Sequence, residues 1–576
     1  MGAVTDMRRG KLARLLPIVD WLPRYDRTWL RGDVLAGIAV TAMIVPKDLG
    51  YAGIAGVPVQ NGLYAAAAGA LVYALFCTSR HISTGPSSSL AAVAGGAVLV
   101  TSVAGPDAAE LVAAITLVTG GLFLAVALLR AGWIARFLSR AVVLGFLAGA
   151  AIDVVVGELP KLTGTSADGD TVWAEFGSWM RTLGDLSWTT LVVGLLALGA
   201  ILALRRYAPH IPGALVLVVG GLLATWAFDL GAHGVALVGE VPRGLPTPDL
   251  PGIDVFREHY AVILAAATGL LLIGFSQTAG DAREFAVRHH YRIDLNQESV
   301  AQGMANVAAG TFQGMPVSTS LSASSLNESA GARTPMASLV TGGLVLLTLV
   351  AFAPLFSDLP KAVLAAIIID AVVFGMIDVP GLRRLYRVTR FDFWIAVAAF
   401  LGVLSAGVLT GVVVGIALSL LWLVYVVTEP GIPTLGRQPG TQVFRDLAEH
   451  PGDETIPGVA VVRLDGGLFF ATADALEERV RALVEADGPL TRAVVLDLEA
   501  VSLVDSQGAS KLTEILEFAE GLEIDVHLAC AKPGVAAVLE RDGALGRLGP
   551  ARVHATVHDA VEAVGATGRQ GGNDRT

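Results

Sequence analysis

The chain has 576 residues, 54% of them hydrophobic and only 16% charged, so it is too long for one ordinary domain and too apolar for a soluble one, in which about a quarter of residues are charged. Its formal net charge of −11 argues against nucleic acid as a partner, because the phosphate backbone calls for a basic surface. Cys77 and Cys530 fall in different predicted domains and suggest neither a disulfide framework nor a metal site.

In chain order, residues 1–31 come first: a basic stretch without a cleavable apolar core, expected to be a cytoplasmic N-terminal arm. Asp6 stands where myristoylation needs Ser or Thr. Residues 32–429 carry one hydrophobic stretch after another, each about 17–25 residues, the length that crosses a bilayer as a helix. Full-length stretches begin near Val34, Gly62, Leu111, Ala141, Leu191, Gly213, Tyr260, Glu298, Met336, Lys361, Phe391 and Val408. Two shorter ones open at Pro86 and Pro316 and run through serines, in GPSSSLAAVAGGAVLV and MPVSTSLSASSLNESAG.

Charge between the stretches tests this reading. With the N-terminus inside, the internal loops hold Arg80; Arg130, Arg136 and Arg140; Arg205 and Arg206; Arg283, Arg288 and Arg292; Arg333; and Arg383, Arg384, Arg387 and Arg390. The external loops hold only Lys161, Arg181, Arg243, Arg257 and Lys361. This positive-inside bias predicts fourteen spans of the cytoplasmic (inner or plasma) membrane, with both termini cytoplasmic. The two short segments are third and tenth, each third in a set of seven. Seven is odd, so the second set enters the membrane from the opposite side: an inverted repeat with broken helices in matching places.

After Glu429 the pattern changes. Residues 430–440 read as a Gly/Pro linker. Strand-like VAVVRLD, FFAT, AVVLDL and DVHLACA then alternate with helix-like ALEERVRALVEA, GASKLTEILEFAEG and AVLERDGALGRL. Residues 441–566 are therefore expected to form a small cytoplasmic α/β domain, and the polar residues 567–576 to be disordered. This part shows no nucleophile, base or metal constellation, so no enzyme is expected. His81, His289 and His290 lie in loops without ligand spacing, and no metal or cofactor is expected.

The chemistry concentrates at the broken spans. A helix starting in mid-membrane presents unpaired N–H groups and about half a positive charge at its N-terminus, and two such ends facing one another form an anion site. Ser87, Ser88, Ser318, Thr319 and Ser320 would add neutral donors. The competing reading is that small residues let helices pack closely.

Four stretches carry a resemblance: RGDVLAGIAVTAMIVPKDLGYAGIAGVP, NGLYAAAAGALVYALFCTSRHISTGPSSS, GFLAGAAIDVVVGELPKLTG and GTFQGMPVSTSLSASSLNESAGARTP. They resemble the SulP (sulfate permease) family of anion transporters. LDGGLFFATADALEERV and VVLDLEAVSLVDSQGASKL resemble the STAS domain that follows SulP membrane domains. The resemblance implies a seven-plus-seven inverted repeat, core and gate domains, elevator-like movement and a homodimer.

The chain departs from that pattern where many relatives carry Gln or Glu after the first-span proline or an acid in the eighth span, and where many eukaryotic relatives carry Arg in the tenth. Here these positions hold Lys47 followed by Asp48, Gln277, and Ala323. Lys47 would serve the anion, with Tyr51 one turn on the same face, or snorkel to the surface; Asp370 and Asp153 are its candidate partners. Gln277, Asp281, Asp153 and Asp370 are the candidate ion-coupling or intramembrane polar residues, while Glu158 sits by Pro160 and Lys161 near a span end, where water would solvate it. Ser506 matches the phosphorylated position of related bacterial anti-sigma-factor antagonists, or caps the following helix.

The expected function is secondary transport of a small anion such as sulfate, bicarbonate or a carboxylate, with Na⁺ or H⁺ as a possible coupling ion and a cytosolic partner at the regulatory STAS domain. The alternatives are a membrane-embedded sensor acting through that domain and a nucleobase-type permease.

Overall fold

The computed structural model describes residues 16–131, 139–167, 169, 171–209, 211–487 and 491–571. Residues 1–15 of the basic arm, Arg136 and residues 572–576 of the polar tail lie outside these. The rest of the arm holds one helical turn, Ile18–Trp21, and two 3-10 turns.

Among the helices that follow, fourteen correspond to the predicted spans, each starting within a few residues of its predicted place; Val172–Thr182, Ile253–Glu258 and Val379–Val388 are connecting helices between them. They are α1 (Leu30–Ile54), α2 (Val59–Phe76), α3 (Ser88–Thr101), α4 (Pro106–Leu128), α5 (Arg140–Thr163), α6 (Trp188–Tyr207) and α7 (Gly213–Phe228). The second set is α8 (Tyr260–Arg288), α9 (Leu295–Thr311), α10 (Leu321–Ser329), α11 (Met336–Leu347), α12 (Lys361–Met376), α13 (Arg390–Ala406) and α14 (Val408–Thr428). Among the described residues nine helices are individually long and apolar enough to cross a membrane. α3, α7, α9, α10 and α13 are shorter or more polar and complete the set of fourteen. α11 changes character at Thr348, running on as a π turn and then a 3-10 segment, Ala353–Asp358. Pro354 lies there, and its missing N–H cannot continue an α-helical ladder.

The packing carries the inverted repeat. α4 packs on α9, and α11 on α2; α3 packs on α8, and α10 on α1. Replacing each helix by the one seven places away turns the first pair of each statement into the second. α5 packs on α12, a pair that this exchange maps onto itself. The closest approaches rest on glycine. A Cβ on Gly120 of α4 would come within 2.7 Å of Val307 N on α9, and one on Gly145 of α5 would overlap the Ala396 carbonyl oxygen of α13. Small residues at helix crossings substitute for the hydrophobic drive that lipid cannot supply.

Two buried carboxylates fix the chain on either side of the broken spans. Asp33 accepts from Arg333 N (2.7 Å) and Thr334 Oγ1 (2.7 Å), just after α10. Glu298 accepts from Thr78 N and Ser79 N, both at 2.8 Å, and from Tyr73 OH, just before the third span. Each group of donors satisfies a charge that would otherwise be costly to bury. Glu158 is likewise buried and bonded to Lys161 Nζ at 2.6 Å, so it is not solvated as its place near a span end suggested.

The C-terminal unit has its own core. Parallel strands β5 (Val459–Arg463), β6 (Ala493–Asp497), β7 (Asp525–Ala529) and β8 (Val553–His554) form one sheet in that order. Helices α15 (Ala473–Asp487), α16 (Ser506–Gly521), α17 (Pro533–Asp542) and α18 (Val557–Gly571) alternate with the strands. One face of the sheet buries Val462, Leu496 and Leu528 against Leu476, Val480, Leu512 and Leu516. The other buries Val461, Val495 and Ala529 against Leu435, Val557 and Ala560.

Three expectations change here. The linker 430–440 contains strand β3 (Leu435–Arg437), paired antiparallel with β4 (Phe444–Asp446); Leu435 is apolar and buries in the sheet core. FFAT is a turn, not a strand, because Thr472 Oγ1 accepts from Phe469 N and closes it at 3.1 Å. Of the tail called disordered, residues 567–571 continue α18, whose apolar residues Val557 and Ala560 anchor it on the sheet.

Candidate anion-binding site

Each broken span enters as a short strand and then turns into a helix. β1 (Thr84–Pro86) and β2 (Val317–Thr319) pair antiparallel, with Gly85 opposite Ser318. Antiparallel pairing satisfies the extended backbone inside the bundle and brings the starts of α3 and α10 together. The caps are matched by the repeat. Ser87 is extended (φ −140°, ψ 155°) and its Oγ accepts from Leu90 N at 3.4 Å. Ser320 is extended (φ −127°, ψ 113°) and its Oγ accepts from Ala323 N at 3.4 Å. A second hydroxyl stands beside each cap: Ser89 Oγ lies 3.1 Å from Ser87 Oγ, and Ser322 Oγ 3.2 Å from Ser320 Oγ.

Both helix starts open on one cavity of about 570 Å³. Of the predicted residues, Ser87, Ser88, Thr319, Ser320, Lys47, Tyr51, Gln277 and Asp281 line it. Gln277 Nε2 donates to Ser89 Oγ at 3.1 Å. Thr319 Oγ1 donates to Asp281 Oδ2 at 2.8 Å, so Asp281 belongs to the cavity wall. Ser318 is fully buried and its Oγ donates to the Gly274 carbonyl at 3.3 Å; it alternates to the far face of β2, away from the cavity. Asp153 is half-buried on α5 and does not line the cavity.

Asp370 has a different partner from the one expected. Arg205 of α6 holds it bidentately, Nε to Oδ1 at 2.7 Å and Nη2 to Oδ2 at 2.6 Å, and the guanidinium carbon lies 4.3 Å from the Phe374 ring centroid. Arg205 is not in a loop: it is in the last turn of α6 and lines the cavity with Lys47. Among the described residues Lys47 Nζ has no carboxylate within 4 Å. Arg205, Ser89, Ser322, Asp48 and Phe374 are among the cavity residues that sequence reasoning missed. The available signal for Arg205 was an arginine inside the last turn of a span with a lone acid, Asp370, at matching depth in another.

The arrangement can bind an anion by neutral hydroxyls, two helix N-termini and two cationic side chains. A bidentate carboxylate fixes the Arg205 guanidinium in place. In the C-terminal unit Ser506 is exposed at the first residue of α16, but the cap is Asp505, whose Oδ1 accepts from Gly508 N at 2.7 Å.

Fourteen spans in an inverted repeat, broken in matching places over a central cavity, are the architecture of a membrane transporter. Residues 30–399 match the model of the sulfate permease family and residues 450–560 that of the STAS domain. A Mycobacterium tuberculosis protein described as "Probable sulfate transporter" is 34% identical over 549 residues, covering 95% of this chain and 97% of its own. The inward-facing structure of the murine anion transporter Solute Carrier 26 family member A9 superposes with a TM-score of 0.88 at 22% identity, covering 97% of this chain and 95% of that one. The transmembrane domain of the cyanobacterial bicarbonate transporter BicA gives 0.58 at 21% identity, over 69% of this chain and 98% of that one. The chain belongs to the sulfate permease family, and it is a transport protein rather than an enzyme.

Proposed function

We propose that this protein carries a small oxyanion, sulfate first and bicarbonate or a carboxylate next, across the cytoplasmic membrane by secondary active transport. The observation that carries this reading is the meeting of two capped helix starts, at Ser87 and Ser320, on one cavity that also receives Lys47 and Arg205. Each helix start contributes about half a positive charge, and the serine hydroxyls donate at hydrogen-bond distance, about 3 Å. The related mycobacterial protein's description supports sulfate as the first candidate.

In this reading both termini are cytoplasmic, the protein is a homodimer, and the helices carrying the site (α1–α4 and α8–α11) move as a unit against the other six. Gln277 and Asp281 are the proposed coupling residues, with Na⁺ or H⁺ as the ion. The C-terminal domain is regulatory, with Ser506 as a candidate phosphorylation site.

The test is uptake by the purified protein in liposomes, against sulfate, bicarbonate and a dicarboxylate, with and without Na⁺ and proton gradients. Ser88→Leu should abolish uptake while leaving folding intact, since the side chain would occupy the approach to the helix start. Uptake unchanged by Ser88→Leu removes the third span from the site. No uptake of any anion by the parent protein returns the sensor reading.

A further inference from the structure

A second cavity, of about 1230 Å³, shares no lining residue with the anion site. It lies where the chain ahead of α1 (Trp21, Trp29) meets the end of α4, the start of α9, and two connecting segments. One segment, through Thr78 and Arg80, leads into β1; the other, Arg333 to Pro335, follows α10. The cavity therefore touches the segment that precedes the third span and the segment that follows the tenth.

Its lining is strongly basic. Four arginines, Arg24, Arg80, Arg130 and Arg333, face two acids, Asp20 and Asp294. Both acids are already engaged. Asp20 pairs with Arg24 at 3.0 Å, and Asp294 caps α9 by accepting from Asn296 N at 2.9 Å. Among the described residues Arg80, Arg130 and Arg333 have no carboxylate within 4 Å; Arg80 lies over the Tyr291 ring, 5.5 Å from its centroid. Arg130 has a positive φ of 52° because it closes α4, with its N–H on the Ala127 carbonyl and Ala131 N on that of Val126.

Part of the lining is apolar. Leu124, Ala127 and Leu128 of α4 and Val300 of α9 form it, and Leu128 is 85% exposed near the end of an apolar span. Three uncompensated guanidiniums beside an open hydrocarbon wall, with two tryptophans of the kind enriched at the headgroup level, match the two halves of one molecule.

We propose that this cavity binds an anionic phospholipid, with headgroup phosphate among Arg80, Arg130 and Arg333 and an acyl chain along Leu124 and Leu128. Guanidinium pairs phosphate bidentately, and basic pockets between membrane helices are suited to multiply charged headgroups. The bound lipid joins the segments flanking α3 and α10, and so holds the broken spans in position without touching the transported anion.

The test uses the full-length protein in detergent, with lipid binding read by native mass spectrometry and stability by thermal unfolding. Cardiolipin should bind and raise the unfolding temperature; phosphatidylcholine and inorganic pyrophosphate should not. Combined Arg80→Gln, Arg130→Gln and Arg333→Gln should weaken cardiolipin binding on the order of a hundredfold. The corresponding triple lysine variant, which keeps the charge but not the bidentate geometry, should bind between the parent and the glutamine variant. If the triple glutamine variant does not fold, Arg130→Gln alone should weaken binding about fivefold. Equal binding by parent and glutamine variants, or equal stabilisation by phosphatidylcholine, overturns the proposal. Equal stabilisation by pyrophosphate also overturns it, and assigns the arginines to a soluble phosphate.

Discussion

Lys47 is the residue on which the anion site differs most from the pattern its sequence resembles. It follows Pro46 within α1, lines the cavity and has no carboxylate within 4 Å among the described residues. Asp370, once its candidate partner, belongs to Arg205. A lysine in this position is costly unless it meets water or an anion. A hydrogen bond to a charged group contributes about 1.5–3 kcal/mol, so Lys47→Gln should weaken anion affinity roughly tenfold to a hundredfold. Isothermal titration or concentration-dependent uptake measures this, and unchanged affinity would return Lys47 to a snorkelling role. In the C-terminal unit, burial and then the charges of Asp497 and Glu499 push the Cys530 thiol up to about 11. Only the thiolate reacts, so alkylation near neutral pH should be about two orders of magnitude slower than for a free thiol. The rate should climb with pH until about 11, as followed by mass spectrometry of the Cys530 peptide; a plateau near pH 9 contradicts the burial.

Helix contacts depend on residues whose only role is absence of bulk. Gly145 lets α5 meet the α13 backbone, and Gly120 does the same between α4 and α9. Overpacking a tight contact costs about 1–3 kcal/mol or more. Gly145→Leu and Gly120→Leu should therefore each lower the unfolding temperature, and Gly121→Leu, whose Cβ would meet open space, should not. Equal effects at Gly120 and Gly121 would mean that the α4–α9 approach is looser than described. The broken spans show why the element scale matters for function: α10 has nine residues, too few to cross a bilayer, and its usefulness lies in where it starts.

The molecule divides into two compact units, Met1–Ser419 and Leu420–Thr576, and the second has two buried apolar clusters of its own. Deleting residues 430–576 should leave the spans folded and the anion site intact, with transport or expression reduced. Size-exclusion profile and anion binding of the truncated protein check this; lost binding would give the C-terminal unit a part in the site. The cut must precede β3, because a deletion starting at residue 437 would leave Leu435 without the sheet that buries it. Tags placed at residues 5 and 570 should both be protected in intact cells if the arginine asymmetry sets the orientation.

Hydropathy, the arginine asymmetry and the two Pro-Ser segments were enough to place all fourteen spans and to point at the half-helix starts, because a bilayer imposes length and polarity on each segment separately. The serines at 87, 88 and 320 were legible for the same reason: a helix start is a local event. Ser318 was not separable from Thr319 in sequence, since only pairing β2 against β1 decides which side chain faces the cavity. Arg205 and Asp370 lie 165 positions apart, and nothing local in either stretch names the other. Their union, the loss of Asp370 as a partner for Lys47, and the arginine-lined second cavity are consequences of which helices touch. Those contacts are set by the long-range packing of the inverted repeat, which the tertiary structure alone decides.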